Sequence, residues 1–223
     1  MSEDRFDNYG ILSRLFRVEI DEETLKELCD SPQLPVTGNG SFDEGYSSIR
    51  EYLNSIDDLD KALSDLAVDY AYTFIGYGID PNSQEAAGSS LLHAAYPYES
   101  VYVTGEKILS GEINDEITTL FSSFGFHPSK YRIMANSHIA CELEFLQYLV
   151  GQEVSNFRNG SAGEIESLRS AEMSFIDNHL LNWIDGLRDA INQRGQTAFY
   201  GNLAAMTKGW LEQDRSFLCS ELG

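Results

Sequence analysis

The side chains of this chain with most chemistry to offer are its histidines, and their spacing limits that chemistry. They are His93, His127, His138 and His179. None forms His-x-His or His-Glu-x-x-His, and none stands near a cysteine at zinc spacing. His138 and Glu142 are four residues apart, hence on one helix face, and could be half of a carboxylate-bridged metal site. No second Glu-x-x-His pattern completes it. Gly-x-Ser-x-Gly is absent, and no Ser or Cys has a base at a telling spacing. Gly38-Asn39-Gly40 and Gly76-Tyr77-Gly78 are neither GxGxxG nor a P-loop, and read as turns. A binding surface remains. Tyr70, Tyr72, Phe74, Tyr77, Tyr96, Tyr98 and Tyr102 fall in two segments bordering a Gly/Pro-rich loop, where aromatics either fill a core or line a groove for an apolar peptide. Asp69, Glu99, Glu142 and Glu144 stand near those segments and could meet arginines by bidentate bonds, or form solvated helix faces.

The elements that must position these residues read as helices almost throughout. Tyr9 to Phe16 places Ile11, Leu12, Leu15 and Phe16 on one stripe. Asp21 can cap a second helix through Leu28, with Glu22 and Glu23 in its first turn, and Pro32-Gln33-Leu34-Pro35 ends it. After a loop over Thr37-Gly38-Asn39-Gly40-Ser41, helix returns by Tyr46. Asp57 reads as the cap of a long helix carrying Leu59, Leu63, Leu66, Tyr70 and Phe74, stopped at Gly76-Tyr77-Gly78-Ile79-Asp80-Pro81, with Gly88-Ser89-Ser90 in the loop beyond. A short helix starts at Asn114 and ends near Phe124-Gly125. The His138 helix runs to about Val154. Ser161 and Glu164 have capping-box spacing for a helix toward His179. Trp183 to Ile191 and Thr197 to Leu218 are the last two helices. Val101-Tyr102-Val103 is the one β-rich triplet, with Gly105 soon after it. The expected fold is all-α, a single globular domain over 1–223 with about ten helices. A hinge near 125–131 would separate an N-terminal part (about 1–125) from a C-terminal part (about 131–223).

Composition narrows the function classes. Against 15 basic residues stand 36 acidic ones, a net charge of −21. Such a field repels nucleic acid and anionic membrane and attracts a basic partner, although acidity also serves solubility alone. No apolar run reaches the ~18 residues of a membrane helix. The acidic start, Met1-Ser2-Glu3-Asp4, has no signal-peptide pattern. Cys29, Cys141 and Cys219 are an odd set without Cys-x-x-Cys, as expected in a reducing compartment. The expectation is a cytoplasmic protein without stable membrane insertion, nucleic-acid partner, cofactor or metal.

Four segments in order resemble the TorD/DmsD/NarJ-like redox-enzyme maturation chaperones over nearly the whole chain. Leu12-Ser13-Arg14-Leu15-Phe16-Arg17 is similar to that family's opening helix. Asp69 to Gly76 resembles its aromatic-x-x-Leu-Phe-x-Gly motif, with Tyr70, Phe74 and Gly76 in place and Thr73 where leucine is usual. Pro97-Tyr98-Glu99-Ser100-Val101-Tyr102 resembles its Pro-aromatic-x-Ser-Val-aromatic segment. Ser137-His138 through Phe145 resembles its Asp-His-Ile-x-x-Glu-Leu-x-Phe helix. His179 through Trp183 and Phe199 through Ala204 also fit. The departure lies before the histidine, where Met134, Ala135, Asn136 and Ser137 replace Glu-Pro-x-Asp and remove a carboxylate.

The resemblance implies an all-α cytoplasmic chaperone and no enzyme. Its partner would be the twin-arginine leader and the body of a molybdenum-cofactor oxidoreductase of the DMSO/TMAO reductase type, held until the cofactor is inserted and the protein folded. The implied peptide site comprises Tyr70, Phe74, Gly76, Pro97, Tyr98, Ser100, Tyr102, Ser137, His138, Glu142 and Glu144. The aromatics would pack the apolar part of the leader. His138 would bond it or fix the start of its own helix. Glu142 and Glu144 would be candidates for the arginines, although they project roughly 200° apart. Family members can form domain-swapped dimers, and Gly125-Phe126-His127-Pro128 is where the hinge would fall. Two other readings stay open: an acidic adaptor for folded proteins, and a helical enzyme using His138 and Glu142.

Overall fold

In the computed structural model the described residues are 2–77, 94–104, 111–128 and 134–223. Residues Gly78–Pro81, Gly88–Ser90, His93, Gly105 and positions 129–131 of the expected hinge lie outside them. Among the described residues the secondary structure is ten α-helices and two five-residue π-turns. They are α1 (Ser2–Arg17), α2 (Glu22–Asp30), α3 (Gly40–Asn54), α4 (Leu59–Tyr70) with a π-turn over Ala71–Ile75, α5 (Glu99–Val103), α6 (Gly111–Ser123), α7 (Ile139–Asn159), α8 (Ala162–Phe175) with a π-turn over Ile176–Leu180, α9 (Leu181–Asn192) and α10 (Phe199–Leu222). The sole β pairing among the described residues is one antiparallel bridge between Tyr98 and His138. The fold is therefore all-α, and the β-rich triplet at Val101 belongs to α5.

Two compact units share the chain. One comprises Met1–Arg17, Pro97–Trp183 and Leu211–Gly223; the other comprises Val18–Tyr96 and Ile184–Trp210. In the first, α1 lies along α7. Its inward stripe is Arg5, Tyr9, Leu12 and Phe16, three or four residues apart and all buried. Ile11, expected on that stripe, falls at its rim and is 50% exposed. Behind it Phe121, Phe126, Phe145 and Phe175 meet edge to face or tilted, at centroid separations of 4.5–6.2 Å, the geometry aromatic quadrupoles favour.

Arg5 brings charge into this core. At 2% exposure it donates Nε to Asp214 (2.5 Å) and one Nη to Glu153 (2.6 Å), and its second Nη bonds Glu172 and Asp214. Tyr9 Oη donates to Asp214 at 2.6 Å. Arg169 supports Glu153 from the other side at 2.7 Å. Burial works against the Arg5 charge, but the bond to Asp214 and the fields of Glu172 and Asp214 outweigh it and hold the guanidinium firmly protonated. Burial pushes the Glu172 carboxyl up to about 8 in spite of Arg5.

In the second unit Tyr70, Phe74, Phe199 and Tyr200 pack edge to face or tilted. Asp69, fully buried, accepts from Gln196 N (2.8 Å), Thr197 N (2.9 Å), Thr197 Oγ1 and Thr73 Oγ1 (2.9 Å). It therefore closes the turn before α10 and presents no free carboxylate. Close helix approach requires glycine at two places. A Cβ on Gly45 would lie 2.7 Å from Met206 N, and one on Gly209 2.3 Å from Phe42 N.

The helix starts follow capping chemistry, with three corrections; α3 starts at Gly40, inside the expected loop, because Asn39 Oδ1 accepts from Phe42 N at 3.0 Å. Asp21 Oδ1 accepts from Thr24 N at 2.8 Å, as expected. For α4 the cap is Asp58, one residue later than expected, because Asp58 Oδ1 reaches Lys61 N at 3.0 Å, three residues on. Ser161 makes no side-chain cap bond. Its N–H instead bonds Asn156 O at 3.1 Å, closing the C-terminus of α7 over Gly160 (φ +76°), a Schellman-type arrangement. That donor is then lost to the reciprocal capping box expected with Glu164.

Candidate functional site

The two motif segments in the first unit, Pro97–Tyr102 and Ser137–Glu142, are joined by backbone. Glu99 N donates to Ser137 O at 2.8 Å, and Ile139 N donates to Pro97 O at 2.9 Å. These bonds flank the Tyr98–His138 bridge and start α5 and α7 side by side. His138 is the N-cap of α7, with extended backbone (φ −78°, ψ 135°), and its Nδ1 accepts from Ala140 N at 3.1 Å. An accepting Nδ1 carries no proton, so the neutral ring holds its proton on Nε2. The Tyr98 ring stands edge-on to the imidazole at 4.9 Å, with planes 84° apart. Burial raises the Tyr98 phenol above its usual range.

Beneath this junction lies a polar floor. Glu142, fully buried one turn into α7, accepts from Trp183 Nε1 at 3.2 Å. Glu99, 3% exposed, meets His179 Nδ1 at 3.0 Å. The Tyr102 ring stacks on Trp183 at 5.5 Å and 16°. His179 lies on the π-turn Ile176–Leu180, a one-residue expansion that re-aims side chains within a helix.

The unit thus gathers Pro97, Tyr98, Ser100, Tyr102, Ser137, His138 and Glu142. Pro97, Ser100, Ser137, His138 and Glu142 are buried, and Tyr98 and Tyr102 are half-buried. Glu144 takes another face of α7, where Arg17 holds it at 2.9 Å beside an open groove of about 620 Å³ lined also by Ile11, Arg14 and Gln147. Tyr70, Phe74 and Gly76 belong to the second unit. There Tyr70 and Phe74 are core, Gly76 ends the π-turn with φ +77°, and Val68, Ile75 and Tyr77 are 54%, 60% and 77% exposed. Sequence reasoning placed His179 and Trp183 in a family-like segment but not at the site. Glu99 and His179 are 80 residues apart, and no local pattern links them.

Some of the site's polar atoms serve one another, while Ser100 Oγ and Glu142 Oε1 are buried without a hydrogen-bond partner among the described residues. His138 Nδ1 serves the α7 backbone and Glu142 Oε2 serves the Trp183 indole. The junction sets the half-buried rings of Tyr98 and Tyr102 beside a single backbone bridge.

An all-α protein with aromatic motif segments pinned by a histidine cap is the class that fold and site define. The chain belongs to the nitrate reductase delta subunit family, whose description matches residues 39–189, and thereby to the TorD/NarJ-like redox-enzyme maturation chaperones. It is 25% identical over 232 residues to the protein named "Chaperone protein TorD" of Aliivibrio salmonicida, covering 99% of this chain and 97% of that one. It is 25% identical over 224 residues to that of Photobacterium profundum, with 99% and 96% covered. With that of Shewanella sp. (strain ANA-3) it shares 26% over 224 residues, with 94% and 91% covered.

Proposed function

We propose that this protein is a cytoplasmic maturation chaperone for a molybdenum-cofactor oxidoreductase of the DMSO/TMAO reductase type. It binds the client's twin-arginine leader, and the apo-protein behind it, until cofactor insertion and folding are complete. The observation that carries the reading is the backbone-locked junction of Pro97–Tyr98 with His138–Ile139, whose residues are those of the family motifs. Preformed aromatic surface at Tyr98 and Tyr102 suits an apolar stretch of peptide, gaining about 25 cal/mol per Å² buried. Ordering a flexible leader offsets much of that gain, which favours modest affinity and easy release. The net charge of −21 suits a basic peptide end, and that attraction should weaken with salt. Since Glu142 is buried, Glu144 is the carboxylate of the pair left for an arginine, in exchange for Arg17. Calorimetric titration with a twin-arginine leader, and with the same peptide carrying two alanines for the arginines, tests the reading. Failure of every leader to bind the folded protein would overturn it.

A further inference from the structure

The floor under the Tyr98–His138 junction leaves one carboxylate oxygen, Glu142 Oε1, without a donor among the described residues. Glu142 and Glu99 face each other, from α7 and α5, with 0% and 3% exposure. His179 meets Glu99, and Trp183 donates to Glu142 Oε2. With both carboxyls ionised, Glu142 Oε1 is buried without a donor. Two like charges in contact in a dry site cannot both persist, and a buried acceptor without a donor costs as much as a lost hydrogen bond. One proton between the carboxyls removes both faults. It gives Glu142 Oε1 its partner and leaves one negative charge opposite His179.

We propose that Glu142 is a positioning residue for the Tyr98–His138 site and acts as the un-ionised acid, sharing one proton with Glu99, whose carboxyl also meets His179 Nδ1. The same two elements are already tied by backbone, through Glu99 N to Ser137 O and Ile139 N to Pro97 O. The shared proton ties them a second time from below, and through Trp183 it fixes the ring on which Tyr102 stacks. Among the described residues the titratable groups facing Glu142 are Glu99 and, behind it, His179. Arg17 and Glu144 pair with each other on another face of α7. Burial, and then the Glu99 charge, hold the Glu142 carboxyl well above the usual carboxylate range. A raised folded-state value means that the stability tied to this proton is fully present below the unfolded value. It is lost as pH rises toward the folded one.

The infrared carbonyl stretch of un-ionised carboxylic acid in the full-length protein at pH 7 tests the proton directly. Glu172→Gln removes the contribution of the separate Arg5 cluster. A second un-ionised carboxyl should remain in that variant and disappear when Glu142→Gln is added. Its absence from the Glu172→Gln protein overturns the proposal, and that spectrum decides the matter even where Glu142→Gln fails to fold. Where it folds, its unfolding constant relative to wild type should change by up to about tenfold per pH unit as pH rises above the unfolded carboxyl value, one proton's worth; parallel curves would refute the shared proton. The positioning role has its own readout in the His138 ring resonances, which should move in Glu142→Ala and stay in Glu142→Gln. Unmoved resonances in Glu142→Ala would overturn that role. None of these signals requires a leader peptide, so failure here and failure of the chaperone reading are told apart.

Discussion

Replacing Arg5 by methionine removes the cation on which Glu153, Glu172 and Asp214 converge inside the first unit. Methionine approximates the volume, so electrostatics dominates the change. Glu153 keeps Arg169 and Asp214 keeps Tyr9. Glu172 stays protonated at neutral pH because burial already holds it near 8. The residual cost is a buried Asp214 charge stripped of its two-point partner and a Glu153 with half its support. Removing one partner of such a buried pair costs about 3–5 kcal/mol. For a chain of this length that lowers the melting temperature by about 10 °C. Urea unfolding followed by helical circular dichroism at pH 7 measures it. The deficit should shrink toward pH 4, because carboxylates robbed of Arg5 bind protons more tightly folded than unfolded, and such groups favour the folded state at low pH. A variant within about 1 kcal/mol of wild type, or a deficit independent of pH, would refute the view that this cluster locks α1 to α7, α8 and α10.

Perturbations at four further positions probe other parts of the fold. Glu172→Gln should flatten the pH dependence of stability. The folded protein holds this proton up to about 8 and the unfolded chain releases it near 4.5, so wild type should lose about 1.4 kcal/mol per pH unit relative to the variant between those values. Asp69→Ala strands Gln196 N and Thr197 N before α10 and should cost about 2–3 kcal/mol in urea unfolding, with Asp69→Asn costing less. Gly209→Ala drives a Cβ to 2.3 Å from Phe42 N and should destabilise by about 1–3 kcal/mol. Gly163→Ala, in α8 with nothing within 4 Å, should be neutral or stabilise by up to about 1 kcal/mol.

The helices were legible because their signals are local. Asp21 reaches Thr24 N only three residues away, and the apolar period of α7 or α10 repeats within each turn. The misplacements arose where two local signals compete. Asp57 and Asp58 are both able caps, and only the backbone decides between them. Ser161 can open α8 or close α7, and Gly160 before it settles the second. Ile11 shows the limit of a stripe read without its partner helix, since the pattern gives a face but not where that face ends. The segments of the candidate site were legible as family motifs. Their division into a junction and a floor was not. Glu142 looks from sequence like any i+4 carboxylate, and its burial is set by Trp183 and Glu99, 41 and 43 residues away. Arg5 gave no signal because its partners lie 148 to 209 residues off.

The measurement that bears most directly on the chaperone reading is calorimetric titration of the full-length protein with twin-arginine leaders of several molybdoenzymes. The expected result is saturable binding to at least one leader, weakened when both arginines become alanine and weakened again in His138→Ala and Tyr102→Ala proteins that remain folded. Binding that ignores the arginines and both substitutions, or no binding to any leader, would contradict it.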